Sequence, residues 1–268
     1  MADDFDLDAY FRRIGHDEPA RPDLATLTAL HSQHVAAIPF ESLDPLAGLP
    51  VPLDLPSLQA KLVERRRGGY CFEHNHLLRA TLERIGFQVT GLGASVVWMS
   101  PPDAPLGAMS HMLLKVDLPE GPYLADVGFG AHLLDAPLKL TPELEQRTPA
   151  SAFRLQTNGA AWTLSARQDE GWRRAYVFTE TPQLAADYEA ANQLTSTAGL
   201  FTNMAVIERL TGEARYNLVN TRLTERRRDG TTSERTLTSA DELAQVLDQV
   251  FDLEPPIAAS EIFAKIAG

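Results

Sequence analysis

Three side chains in this sequence have the types that acyl chemistry through sulfur needs: the thiol of Cys71, the imidazole of His111 and the carboxylate of Asp126. A thiol is a strong nucleophile only as thiolate, and a free one, with a pKa of roughly 8.5, is mostly protonated at neutral pH. Cys71 follows Gly68-Gly69-Tyr70, where glycine permits close backbone approach, and precedes Leu78, Leu82 and Ile85 at helical spacing, with Gly86 as a stop. It therefore falls at or near a helix N-terminus, whose unpaired N–H groups and positive dipole end favour an anion. A lone cysteine there is equally well read as an inert small hydrophobe filling the helix start.

A base in a suitable place separates the two readings. Ser110-His111-Met112-Leu113-Leu114-Lys115-Val116 alternates as a strand does, with Met112, Leu114 and Val116 on one face and His111 and Leu113 on the other. Tyr123-Leu124-Ala125-Asp126-Val127 alternates likewise and puts Asp126 on the face of Leu124. A hairpin through Leu118-Pro119-Glu120-Gly121 would join the two. A turn centred between Leu118 and Pro119 sets His111 directly opposite Asp126. A turn centred between Pro119 and Glu120 makes them diagonal neighbours, and in either case they share a face. A carboxylate that accepts the imidazole N–H fixes the ring's tautomer and stabilises the imidazolium, leaving the other nitrogen to a thiolate. Singly, a core histidine and a strand-end aspartate need no chemistry; jointly they point to a nucleophilic triad.

The chain that must position these groups has 268 residues, room for one large domain or two to three closely packed ones. Lys and Arg total 24 against 36 Asp and Glu, and the formal net charge of -12 argues against nucleic acid or an anionic membrane as partner. Arg65-Arg66-Arg67 and Arg226-Arg227-Arg228 are read as locally balanced, solvated faces. The start, Met1-Ala2-Asp3-Asp4-Phe5-Asp6, lacks the features of a signal peptide, and no apolar run approaches the ~20 residues of a membrane span, so the expectation is a cytoplasmic protein. A single cysteine excludes an intramolecular disulfide and a multi-thiolate zinc site. His31 with His34 and His74 with His76 lack a clear third ligand, so no metal is expected, and the histidines are assigned to helix surfaces or packing.

Leu24, Leu27, Leu30 and Val35 predict a helix that Ile38-Pro39-Phe40 stops, and a second helix is expected from Ser57 to about Arg65. After Gly86 the pattern becomes β-rich: Gln88 to Trp98, a loop with Pro101, Pro102 and Pro105, Ser110 to Leu118, Pro122 to Val127, then strands near Ala152 to Leu155, Trp162 to Ala166 and Trp172 to Thr179. A helix from Pro182 to about Asn192, a segment around Phe201, and strands around Tyr216 to Arg226 and Ser233 to Leu237 follow. Ser239 with Glu242 is a capping-box pattern opening a closing helix that carries Leu243, Val246, Leu247 and Val250.

The stretch Arg66-Arg67-Gly68-Gly69-Tyr70-Cys71-Phe72-Glu73-His74-Asn75 resembles the cysteine motif of the arylamine N-acetyltransferases. The likeness continues through Ile38-Pro39-Phe40-Glu41, Ser110-His111-Met112 and Asp126-Val127-Gly128-Phe129-Gly130, in that family's order, and covers most of the chain. The resemblance implies an α+β fold: an N-terminal helical bundle over 1–86 carrying the nucleophile, a β-barrel over 87–190 carrying His111 and Asp126, and a C-terminal α/β lid over 191–268. It implies ping-pong transfer from acetyl-CoA, a co-substrate and not a tightly bound cofactor, to a small aromatic amine, arylhydroxylamine or hydrazine. It further implies that Phe40, Tyr70, Phe129 and Phe201 line the acceptor pocket, that Trp98, Gly128 and Gly130 approach the CoA, and that Glu41 and Arg67 form an ion pair holding the cysteine loop.

One stretch departs from the family's pattern: Ser196-Thr197-Ala198-Gly199-Leu200-Phe201 is shorter than usual and lacks a proline, which bears on acceptor preference. A cysteine hydrolase, an amide synthase closing a carrier-bound acyl chain, and a non-catalytic binding domain with a structural thiol are the competing readings.

Overall fold

The computed structural model describes residues 5–101 and 103–267; Met1 to Asp4, at the acidic start, Pro102 of the proline-rich loop, and Gly268 lie outside the described residues. Eight α-helices and thirteen strands alternate along the described chain.

Helix α1, Leu7–Ile14, is capped by Asp6, whose carboxylate accepts from the Ala9 N–H, and ends on Gly15 at φ 72°. Helix α2, Leu24–Ala37, is capped by Asp23 and stops where Ile38, held extended before Pro39, leaves helical geometry. A two-residue strand β1, Phe40–Glu41, and a short helix α3, Leu43–Ala47, follow. The helix expected from Ser57 begins earlier as α4, Leu55–Leu58, because Asp54 caps it and Pro56 suits its first turn, and it widens into a π-helical turn over Gln59–Glu64. Helix α5, Cys71–Ile85, ends on Gly86 at φ 106°.

An antiparallel eight-stranded sheet comes next: β2 Gln88–Val96, β3 His111–Leu118, β4 Gly121–Ala125, β5 Leu138–Lys139, β6 Glu145–Arg147, β7 Ala152–Asn158, β8 Ala161–Gln168 and β9 Gly171–Pro182. Their order is β5-β4-β3-β2-β9-β8-β7-β6. The side-chain amide of Gln146 on one edge strand pairs with both the N–H (2.7 Å) and the C=O (2.8 Å) of Lys139 on the other, so the sheet curls into a nearly closed barrel. From His111 to Leu114, strand β3 is buried on both faces. Leu113 joins Leu92, Leu124, Phe153, Leu155 and Leu164 inside the barrel, while Met112, Leu114 and Val116 pack with Leu30, Phe72 and Leu78 of the helices. The β3–β4 register pairs Leu118 with Gly121 and Leu114 with Ala125, which centres the turn between Pro119 and Glu120 and selects the diagonal arrangement.

The chain then forms α6, Ala185–Ala198, a 3-10 turn over Leu200–Thr202, and a second antiparallel sheet of β10 Val206–Leu210, β11 Ala214–Val219, β12 Arg222–Arg227 and β13 Thr232–Thr236. Strand β1 completes this sheet beside β10. Helices α7, Ala240–Gln249, and α8, Ala259–Ile266, cover it over a core that includes Ile207, Leu218, Leu243, Phe251 and, from α3, Leu43. Ser239 caps α7 as expected, accepting from the Glu242 N–H.

The α+β class stands, with three local corrections. The helix placed at Pro182 starts at Ala185, because the long strand β9 runs through Pro182. The single strand placed over Tyr216 to Arg226 is a hairpin, turning at Asn220 with φ 52°. Strand β10 has no clear strand signature in the sequence because Glu208 and Arg209 interrupt its apolar pattern; Glu208 is nevertheless buried and pairs with Arg215. Among the described residues no helix is long and apolar enough to cross a membrane.

Candidate active site

Cys71 is the first residue of α5, and Tyr70 before it has extended backbone at φ −114° and ψ −172°. The Tyr70 N–H is taken by the Glu73 carboxylate at 3.0 Å. A Cβ on Gly68 would stand 2.0 Å from the Pro39 carbonyl oxygen, and one on Gly69 would stand 2.7 Å from the Glu73 carboxylate. The two glycines therefore let the loop wedge between β1 and α5 and aim the helix start. Cys71 is buried, 4% exposed, and its sulfur faces the Ser110 carbonyl at 3.7 Å.

His111 opens β3, and Asp126 follows β4 immediately. The imidazole Nε2 meets Asp126 Oδ2 at 2.7 Å, with both groups buried. Burial disfavours the charged imidazole, but the Asp126 charge and hydrogen bond, together with a hydrogen bond to Cys71, outweigh it and raise His111 to about 10. Burial likewise pushes Asp126 up, and the His111 charge with the hydrogen bonds around the carboxylate more than reverses it, leaving Asp126 below the usual carboxylate range. With Nε2 taken by Asp126, Nδ1 is the nitrogen left for the thiol.

Four donors converge on Asp126. Oδ2 receives His111 and the Tyr176 hydroxyl at 2.9 Å, while Oδ1 receives the Asn75 amide at 3.0 Å and the Gly128 N–H at 3.0 Å. A buried carboxylate satisfied in this way stays ionised and cannot rotate. The Tyr176 ring also lies 4.8 Å from the His111 ring. Tyr176→Phe removes one charge-assisted hydrogen bond and should lower stability by about 1.5–3 kcal/mol. It should also lower kcat about tenfold while leaving KM nearly unchanged, because the group acts on the carboxylate and not on substrate; steady-state kinetics and a thermal melt check both.

Asn75 and Tyr176 do not stand out in the sequence as site residues. Asn75 had a signal, being one helical turn from Cys71 on the same face. Its amide also donates to the Met112 carbonyl at 2.7 Å and accepts from Val127 N at 3.2 Å, tying α5 to both strands of the hairpin. Tyr176 had none, since only the folded barrel brings β9 to β3's partner strand.

The paired histidines are packing elements. His31 accepts from the Asp126 N–H at 3.2 Å, and burial holds it neutral, down to about 4. His74 Nε2 faces the Pro39 carbonyl at 3.2 Å and must therefore carry the proton there. Its Nδ1 then accepts from His34 Nε2 at 2.7 Å, and His34 Nδ1 accepts from the Tyr10 hydroxyl at 2.8 Å. This directional, uncharged chain fastens α1 and α2 to the carbonyl beside the cysteine loop. His76 bonds the Phe72 carbonyl at 2.8 Å within α5.

Glu41 and Arg67 meet at 2.6 Å, as expected, but inside a larger buried cluster. Arg67 also holds Asp44 at 2.7 Å, and Lys61 bridges Asp44 and Glu73 at 2.6 Å each. Three carboxylates thus share two cations. The surplus negative charge is felt by Glu73, which burial pushes up to about 7 against the pull of Lys61.

The aromatic residues divide into two groups. Phe201 packs edge-on against Phe40 (6.0 Å) and Tyr70 (5.9 Å), and the Tyr70 hydroxyl bonds the Asn192 side chain. Phe129 stands apart from these three, against His111 (5.5 Å), Tyr176 (5.3 Å) and Trp98 (5.8 Å). The glycines are explained by packing: a Cβ on Gly128 would lie 2.6 Å from the Cys71 Cα, and one on Gly130 would lie 2.2 Å from the Phe40 ring. Because the Gly128 N–H is committed to Asp126, a hydrogen bond from it to the donor's phosphates does not fit this geometry.

The sequence model of the N-acetyltransferase family matches residues 23–258. The chain is an acyltransferase by class. An arylamine N-acetyltransferase of Mycolicibacterium smegmatis is 43% identical over 250 residues, spanning 91% of this chain and 90% of that one. A solved M. smegmatis arylamine N-acetyltransferase superposes with a TM-score of 0.92 at 40% identity, covering 98% of each chain. The Mycobacterium marinum arylamine N-acetyltransferase in complex with CoA superposes with a TM-score of 0.92 at 36% identity, covering 97% of this chain and 99% of that one. The chain belongs to the arylamine N-acetyltransferase family.

Proposed function

We propose that the protein moves an acetyl group from acetyl-CoA to the nitrogen of an arylamine, arylhydroxylamine or hydrazine by way of a thioester on Cys71. The observation that carries this reading is the convergence of the Cys71 thiol, the His111 imidazole and the four-donor Asp126 at the start of α5. His111 takes the thiol proton, and the thiolate attacks the acetyl carbonyl. As the tetrahedral intermediate collapses, the carbon–sulfur bond to CoA breaks and the imidazolium returns its proton to the leaving thiolate. The amine then attacks the enzyme thioester, His111 accepts the ammonium proton, and Cys71 leaves as thiolate. The N–H groups of the first turn of α5, lacking intrahelical partners, supply positive potential at the sulfur throughout.

Support for the donor comes from the CoA complex of the M. marinum relative. Support for the acceptor comes from the names of the relatives and from the apolar rings of Phe40, Tyr70 and Phe201, which suit an aryl group. We read 1–86, 87–190 and 191–268 as three units, with residues 40–47 crossing to the third. A nucleophile that is the chain's only thiol suits a reducing, cytoplasmic setting.

Mass spectrometry of the intact protein after acetyl-CoA addition should show one added acetyl group, lost again when amine is supplied. Absence of the adduct, or CoA release at the same rate with and without amine, would refute transfer, and the latter result would favour a hydrolase.

A further inference from the structure

Phe201 closes the group of rings beside Cys71, yet little of its own neighbourhood holds it there. The buried residues of α6 are Tyr188, Ala191 and Asn192, and from Gln193 to Met204 no residue is buried. Phe201 lies in this stretch, on a 3-10 turn that folds back so tightly that a Cβ on Gly199 would stand 2.5 Å from the Thr195 carbonyl oxygen. The turn therefore moves with the end of α6. The next buried residue after it is Ala205, whose N–H donates to the Asn220 side chain at 3.0 Å and so fastens the segment to the C-terminal sheet. The last buried anchor before it is Asn192.

Two residues fix α6 from its inner face. The Tyr188 hydroxyl donates to the Leu92 carbonyl of the barrel at 3.2 Å, and its ring packs edge-on against Phe72 of α5. One turn later, Asn192 Oδ1 accepts from the Tyr70 hydroxyl, and Asn192 Nδ2 donates to the Val51 carbonyl at 2.8 Å. Burial keeps the Tyr70 phenol protonated, so a donor is always present for Oδ1. A flipped amide would set Oδ1 against the Val51 carbonyl, so the two partners permit one orientation of the side chain.

Tyr70 is at once the partner of Asn192 and one of the rings that Phe201 meets edge-on, at 5.9 Å; Phe40 is the other, at 6.0 Å. Edge-on ring contacts supply packing energy with weak directional restraint. The amide bonds define a single position, because giving them up strips a buried hydroxyl and a buried carbonyl of that partner.

We infer that Asn192 is a positioning residue that sets acceptor specificity: by latching α6 to Tyr70 and Val51 it holds Phe201 close over Phe40 and Tyr70, and so limits the bulk of the amine that reaches the Cys71 thioester. The inference rests on the arylamine-acceptor reading above. Without the latch, the end of α6 has no buried residue beyond Ala191 and lifts with Phe201, opening the group of rings.

The test compares aniline with 4-tert-butylaniline, amines of similar basicity that differ in bulk, as acceptors from acetyl-CoA on the wild type and on Asn192→Leu, which keeps the volume and removes both hydrogen bonds. In a two-step transfer, kcat/KM for the acceptor reports the second half-reaction, and the ratio between two acceptors cancels any change at Cys71 that both share. The ratio of 4-tert-butylaniline to aniline should rise at least about tenfold, the lower end of what a pocket wall discriminates for one methylene. A smaller rise, no change or a fall, in a variant with the wild-type circular dichroism spectrum, overturns the inference and leaves the arylamine reading standing. Should Asn192→Leu not fold, Asn192→Ala is put through the same comparison and judged by the same ratio. A wild type that acetylates neither amine would overturn the arylamine reading and the inference together.

Discussion

Cys71→Ala should abolish acetyl transfer, with kcat falling by roughly 10⁴-fold or more, and should leave no acetyl adduct on the intact protein. The size of the loss follows from the kind of step removed. Without the sulfur no thioester forms, and His111 and Asp126 have no nucleophile to serve. The fold should survive, because Cys71 is the first helical residue and alanine is a good helix former there. Losing one small buried apolar group costs on the order of 1 kcal/mol, so the melting temperature should move by only a few degrees. A folded but inactive protein separates a chemical role from the inert-hydrophobe reading. Retention of most activity would remove Cys71 from the mechanism.

Asp126→Asn is the second large effect, with kcat expected to fall by on the order of 10²–10⁴-fold. The side chains have nearly the same shape, so the difference is electronic. Asp126 is acceptor-only and receives four donors. An amide nitrogen in place of one oxygen turns an acceptor into a donor facing donors. If that nitrogen faces His111, the ring answers by placing its proton on Nδ1, toward the thiol, where a base is needed. Without the carboxylate charge, burial dominates and His111 drops from about 10 to below its ordinary 6.5, which NMR titration of the imidazole would detect.

Stability should follow the same pair. His111 is raised in the folded state, so its contribution is complete below an unfolded pKa near 6.5 and is lost as the pH rises through about 10. Asp126 is depressed, so its contribution is present above an unfolded pKa near 3.9 and is lost as the pH falls through the lower folded value. Destabilisation by Asp126→Asn, about 3 kcal/mol for breaking a buried pair, should therefore be largest between about pH 4 and 6.5 and shrink toward pH 10. A pH-independent difference in unfolding free energy would show that His111 and Asp126 are not an ion pair.

Much of this site was legible because its signals are local. A helix start after two glycines, a helix stop at Gly86, and two alternating segments around a short turn are all set by neighbouring residues, and they placed Cys71, His111 and Asp126 on the correct elements. The hairpin register was narrowed to two possibilities, both with the imidazole and carboxylate on one face, because period-two alternation is insensitive to that shift of the turn. The features that short-range patterns do not carry are non-local. Tyr176 reaches Asp126 only because β9 pairs with β2, which pairs with β3. Glu208 and Arg215 look like surface charges until the second sheet buries them against Leu133.

Phe129, which the family resemblance places among the pocket rings, packs with the barrel core beside His111. Arg226 and Arg228 are exposed, as the sequence suggests, but only the fold sets them across a cleft from the barrel's arginines. By itself, then, the sequence determined which residues could form the nucleophile, base and orienting acid, since spacing and secondary structure are encoded within a few residues. The tertiary structure alone decided that the helix start carrying the thiol packs beside Ser110, the neighbour of His111, that four donors hold the carboxylate, and where positive charge gathers. Those depend on strand order and on sheets meeting across the chain, for which no short-range pattern exists.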